Sequence, residues 1–182
     1  DANKGELTRF EFVSDRDSLL RAEAISFDKD SILRALDFVA FNDTTFLIPD
    51  YSGDARFCWV NRQGKFLKKS GVIPSLNEEA LKEARPALAQ AWRSFIDYNP
   101  HNGVLVAATQ LGEVLEIYNL QNGFHRVCLG PKGEPEFKLA GGYAIPDGIM
   151  GFSDVQVTDE AIYAVFHGHT FKEIMAQHRK EG

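Results

Sequence analysis

Two cysteines, two methionines and seven prolines among 182 residues withhold the material of several protein classes. Cys58 and Cys128 cannot supply a disulfide framework; they can make one bridge or stay as buried thiols, and buried thiols are the expectation. No Cys-x-x-Cys pair, no Gly-x-Ser-x-Gly elbow and no phosphate-binding loop is present, which removes the sequence basis for thiol redox chemistry, an elbow hydrolase or a nucleotide site. No apolar run approaches the ~20 residues that cross a bilayer as a helix. Basic residues are the scarcer sign, 20 against 26 acidic, for a net charge of −6. That balance argues against nucleic acid, which needs clustered Lys and Arg, and against docking on anionic lipid. Lys65, Lys68 and Lys69 form the one dense basic spot and read as the solvated face of a strand. The opening DANKGELTRF is polar from its first residue, and an initial Asp in place of Met reads as a trimmed end.

What is abundant is apolar and aromatic. Apolar residues make up 44% and charged residues 25%, a globular balance, and fourteen Phe with five Tyr favour strands. The chain also repeats. Phe38-Val39-Ala40-Phe41-Asn42 aligns with Phe95-Ile96-Asp97-Tyr98-Asn99 and with Phe152-Ser153-Asp154-Val155-Gln156. Phe46-Leu47-Ile48 aligns with Val104-Leu105-Val106 and Ile162-Tyr163-Ala164, and the pairs Lys4-Gly5, Gln63-Gly64 and Asn122-Gly123 also recur, the three markers stepping by 57, 58 and 59 residues. A regular recurrence of this kind marks one supersecondary unit used about three times.

Residues 94–130 show the unit whole. Short strands are separated by Pro100-His101-Asn102-Gly103, by Gly112, and by Gln121-Asn122-Gly123, a tight hairpin signal. The result is a four-stranded antiparallel meander. Its second strand, in GVLVAAT, does not alternate in polarity, and neither does AIYAVF at 161–166, so both faces of each are expected to be covered. Meanders stacked in series with doubly covered inner strands describe an all-β fold, a β-propeller of four-stranded blades. The organisation expected is a partial blade over 5–30, a blade over 36–71, a helical insertion over 75–93, a blade over 94–130, a loop over 131–148 and a partial blade over 149–169, followed by a helical or disordered tail.

In the helical insertion, Ser75 and Glu78 suggest a capping box. Leu81, Ala84, Leu88, Trp92 and Phe95 share helical spacing, and Pro86 is expected to break the helix. Both insertions follow a fourth strand and are expected on one rim, where such folds carry function. About three blades leave open edges, so the chain is expected to be part of a longer propeller, or one of two chains that together close a ring.

The candidate chemistry is sparse. Asp97 and Asp154 hold one repeat position, with Ala40 in the third copy. On inner strands they, with Asn99, are candidates to line a channel and bind a ligand or a cation such as calcium; the competing role is a carboxylate that accepts the next blade's main-chain amides. His167 and His169 could ligate a metal around Gly168, while His101 and His125 are isolated. Asp15-Arg16-Asp17 and Asp28-Lys29-Asp30 lack the glycine and glutamate of a calcium loop and read as solvated loops.

NGVLVAATQLGEVLEIYNLQNG and GFSDVQVTDEAIYAVFHGH resemble the TolB-like six-bladed β-propeller proteins of Bacteroides and relatives, in which a GF-x-D start followed by IYA recurs at blade openings. The resemblance covers roughly residues 36–169. It implies a six-bladed ring, a lipid anchor at the periplasm or cell surface, and no agreed catalytic residues. The leading functional expectation is a non-catalytic binding or scaffold propeller of the cell envelope, with an envelope protein, peptide or glycan as ligand. The alternative is a metal-dependent propeller hydrolase or lactonase using the channel carboxylates.

Overall fold

The computed structural model describes residues 4–12, 19–32 and 35–181. The chain opens with a hairpin of β1 (Glu6–Phe12) and β2 (Leu19–Ser26). A first complete sheet follows, β3 (Val39–Asn42), β4 (Thr45–Pro49), β5 (Phe57–Asn61) and β6 (Phe66–Ser70), in that spatial order. After two short helices, α1 (Glu78–Glu83) and α2 (Arg85–Ala91), comes a second complete sheet, β7 (Ser94–Asn99), β8 (Val104–Thr109), β9 (Val114–Asn119) and β10 (Phe124–Leu129). The chain then forms a hairpin, β11 (Phe137–Ala140) with β12 (Tyr143–Pro146), and a two-stranded sheet, β13 (Phe152–Val157) with β14 (Ile162–Phe166). It ends in helix α3 (Phe171–Glu181). All strand pairs are antiparallel neighbours in sequence, the meander expected of a propeller blade.

The core lies between sheets. Val39, Leu47 and Phe57 of the first complete sheet meet Ile96, Leu105 and Ala107 of the second. On the opposite face, Val106 and Ala108 meet Phe152, Val155 and Val157 of the β13–β14 sheet. Strand β8 is therefore sandwiched, and Leu105, Val106, Ala107 and Ala108 are all 0% exposed. This is why its sequence does not alternate: each face has a sheet against it, and burying Leu105 alone contributes about 1.5–3 kcal/mol. The fold is a partial β-propeller.

Strand β14 departs from the expectation. Its sequence is as apolar as that of β8, yet Tyr163 is 63% and Val165 56% exposed. Val155 and Val157 point at the second sheet, while Asp154 pairs with Val165 and Gln156 with Tyr163 on the other face, against which no sheet packs among the described residues.

Strand pairing shows where the aligned segments diverge. Asp97 lies opposite Val106, Asp154 opposite Val165 and Ala40 opposite Phe46. Irregularities lie between Ala40 and Asn42 and between Phe152 and Asp154. Phe95 and Phe152 reach the second seam from opposite sides, whereas Phe38 is 41% exposed and edges onto Phe46 of its own sheet.

The insertions refine the sequence reading. Ala84 ends α1 and begins α2, with Pro86 in the first turn of α2, so the proline divides the segment into two helices. The N-cap of α1 is Asn77, whose side chain accepts from the Ala80 amide at 3.0 Å. Ser75 Oγ donates to Glu134 Oε2 at 2.6 Å and accepts from Asn77 N at 3.1 Å, while the Glu78 amide donates to Leu76 O, so the Ser75–Glu78 capping box does not form. Residues 131–148, expected as a loop, contain the β11–β12 hairpin, which turns at Gly141-Gly142. Among the described residues no helix is long and apolar enough to cross a membrane.

Candidate functional site

Two regions stand out: the seams between inner strands and the rim that carries the insertions. At the seams, carboxylates take main-chain amides from the neighbouring sheet. Asp37 Oδ2 accepts from Ile96 N at 2.7 Å, and Asp97 Oδ2 accepts from Val157 N at 2.6 Å. Asp37 also accepts from Phe38 N, and Asp154 from Val155 N. Burial holds the Asp37 carboxyl above the usual carboxylate range, reinforced by the negative charges of Asp154 and Asp97. Asp37 therefore lies within electrostatic reach of both Asp97 and Asp154. Asp37 was not singled out in the sequence, because it sits just ahead of β3 and outside the repeat alignment.

Asn99 stands at the far end of β7. Its amide donates to Asp159 Oδ1 at 2.8 Å, and its own Oδ1 accepts from His101 N at 2.9 Å. His101 Nδ1 lies 3.0 Å from Asp159 Oδ2. Hydrogen bonding to that carboxylate raises the His101 pKa, and the same bond lowers that of Asp159. These contacts tie the β7–β8 turn to the β13–β14 turn. His167 and His169 are exposed, with Gly168 at φ 72° between them, and their main chains bond Gly151 and Met150. Among the described residues no three His, Cys, Asp or Glu side chains converge as a metal site. Asp28 accepts from Asp30 N and Ser31 Oγ as a local turn, and Asp15-Arg16-Asp17 lies outside the described residues. Of the three lysines read as a solvated face, Lys69 bridges Asp50 at 3.2 Å and Asp54 at 2.8 Å, and Lys68 lies over the Trp59 ring.

A buried ion pair, invisible in the sequence, crosses the first seam. Arg56 Nη2 lies 2.7 Å from Glu116 Oε1, and the two side chains are 1% and 0% exposed. Arg56 also donates to Ser94 Oγ, and Tyr118 donates to Glu116 Oε2. These contacts tie the two sheets together through charge-assisted hydrogen bonds.

The insertions join on one rim, as expected. Leu88 and Trp92 of the helical segment pack with Phe137 and Ala144 of the hairpin. Ala144 N donates to Gln90 Oε1 at 3.3 Å, and Glu134 receives both Ser75 Oγ and Leu76 N. Pairing places Lys138 opposite Ile145 and Ala140 opposite Tyr143, so these four share the hairpin's outer face. Tyr143 is 61% and Ile145 49% exposed there.

Sheets in series with sandwiched inner strands are those of a propeller, and the family model described as TolB-like 6-blade propeller-like matches residues 2–182. The chain belongs to this family. Among curated proteins none matches it. Membership of the TolB-like 6-blade propeller-like family accords with a propeller that binds or scaffolds. It assigns no ligand and no catalytic residue.

Proposed function

We propose that this TolB-like chain is a non-catalytic binding or scaffold propeller of the bacterial cell envelope, lipid-anchored in its full-length form. The surface it offers is the fused rim of α1, α2 and the β11–β12 hairpin. The observation that carries this reading is the outer face of the hairpin: Tyr143 and Ile145 are presented to solvent on a support fixed by Trp92, Phe137 and Ala144. Large apolar side chains held outward on a rigid base suit an envelope protein or peptide, or a glycan stacked on the tyrosine ring. The open face of β13–β14, with Tyr163 and Val165, receives a further blade supplied by the remainder of a longer polypeptide or by a second chain.

The test is capture from envelope extract by wild-type protein and by Tyr143→Ser/Ile145→Ser, alongside a peptide and glycan array. Specific capture that the double variant loses supports the rim. Equal capture by both proteins, or silence from both, removes it. Fractionation of cells expressing the full-length gene tests the address.

A further inference from the structure

The rim holds a second feature, independent of the hairpin's outer face. Beneath the hairpin lies a cavity of about 240 Å³ lined by Gln90, Arg93, Gln110, Leu111, Ala144 and Met150, among others. It is smaller than the roughly 300–1,000 Å³ of a site that encloses a drug-sized ligand, so it suits a terminal group. No acidic residue lines it, although the chain has 26 Asp and Glu.

Arg93 is the unusual member. Its Nε is buried and has no hydrogen-bond partner. Its guanidinium carbon lies 5.7 Å from the centre of the Tyr51 ring, and it enters none of the ion pairs among the described residues. Arg56, Arg62 and Arg85 each donate from Nε to a protein acceptor. That Nε is itself sealed from the cavity, so what Arg93 brings to the wall is a positive charge with no ion-pair partner among the described residues. Gln90 uses its Oε1 on Ala144 N, which leaves its NH₂ to donate, and the Gln110 side chain is a second amide donor at the cavity wall. Leu111, Ala144, Pro146 and Met150 make the rest of the wall apolar.

We propose that this cavity binds the carboxylate of a ligand whose adjoining atoms are a short aliphatic group. The carboxylate meets the planar fork of Arg93 and the two glutamine amides, and the aliphatic carbons lie against Leu111 and Met150.

The experiment is a ¹H–¹⁵N titration of the intact chain with sodium butyrate at constant ionic strength. It observes the Arg93 Nε–H and the side-chain amides of Gln90 and Gln110. Parallel titrations use butyramide, inorganic phosphate and sodium chloride. The expected result is a saturable shift of all three resonances with butyrate in the millimolar range. Butyramide and chloride give none, and phosphate binds at least tenfold more weakly because it has no carbon group for the apolar wall. Arg93→Lys, which keeps the charge over Tyr51 and loses the fork, weakens butyrate binding at least tenfold. No shift at these resonances overturns the proposal, as does an equal response to chloride or phosphate. The readout does not involve Tyr143 or Ile145, so its failure and the failure of the rim reading are separate results.

Discussion

Asp97 Oδ2 accepts the main-chain N–H of Val157 at 2.6 Å, across the seam between the second complete sheet and the β13–β14 sheet. Asp37 does the same for Ile96 one seam earlier. A carboxylate on one inner strand thus satisfies an amide on the next, where sheet hydrogen bonding cannot reach.

Asp97→Ala leaves the Val157 amide without its acceptor in a half-buried seam. The expected loss is about 1–3 kcal/mol in urea unfolding. Asp97→Asn, which retains an oxygen acceptor, loses less. Equal stability of the alanine variant and wild type contradicts the clasp.

The Arg56–Glu116 pair is fully buried, so removing one partner strands a charge. Glu116→Ala is expected to cost about 3–5 kcal/mol, whereas the double change Arg56→Met/Glu116→Leu costs much less than the sum of its single changes. A double-mutant cycle by chemical denaturation measures the difference, and additive losses contradict the coupling.

Asp37 gives a pH signature of definite sign. Its folded-state pKa is raised, chiefly by burial, above the ordinary value of 3.8. The folded state therefore holds the proton more tightly than the unfolded state, and the group's contribution to stability falls as pH rises from 3.8 through the folded pKa. Asp37→Asn removes that slope. Subtracting the variant's stability-against-pH curve from the wild type's should leave a decline with rising pH in that window; a difference that rises instead reverses the assignment.

Gly64 and Gly123 hold the same hairpin place at φ 80° and 76°. A Cβ on Gly64 would run into the Ser26 carbonyl, while one on Gly123 meets nothing within 4 Å. Gly123→Ala is expected to cost about 1–2 kcal/mol for the left-handed backbone alone, and Gly64→Ala distinctly more. Thermal unfolding of the two variants compares them directly.

Burial pushes the Cys58 thiol up to about 12, and Cys128 is half-buried on β10. Brief alkylation of native protein at pH 8 is expected to label Cys128 in preference to Cys58, with both reacting once the chain is unfolded. Mass spectrometry of the labelled peptides reads the ratio.

The meander was legible because its signals are local. Gly64 and Gly123 take positive φ as a hairpin requires, and the unbroken apolar run Val104–Ala108 announces a strand covered on both faces. At Ile162–Phe166 the same signal meets an open face among the described residues, since hydrophobicity records what a strand is suited to pack against, not which sheet lies beside it. The capping signal at Ser75 fell two residues ahead of the helix: its hydroxyl accepts from Asn77 N, and Asn77 is the cap.

By itself the sequence determined a repeated antiparallel sheet, its turns, the break at Pro86 and the amphipathic helical segment, because each depends on residues within a turn or a strand pair. Only the tertiary structure decided that Asp37 joins Asp97 at the seams, that Arg56 and Glu116 meet in the dry interior, and that Arg93 stands over a cavity with no acidic neighbour. A charged side chain looks the same in sequence whether water, an amide or an opposite charge will face it. That choice is made by sheets brought together from about sixty residues apart.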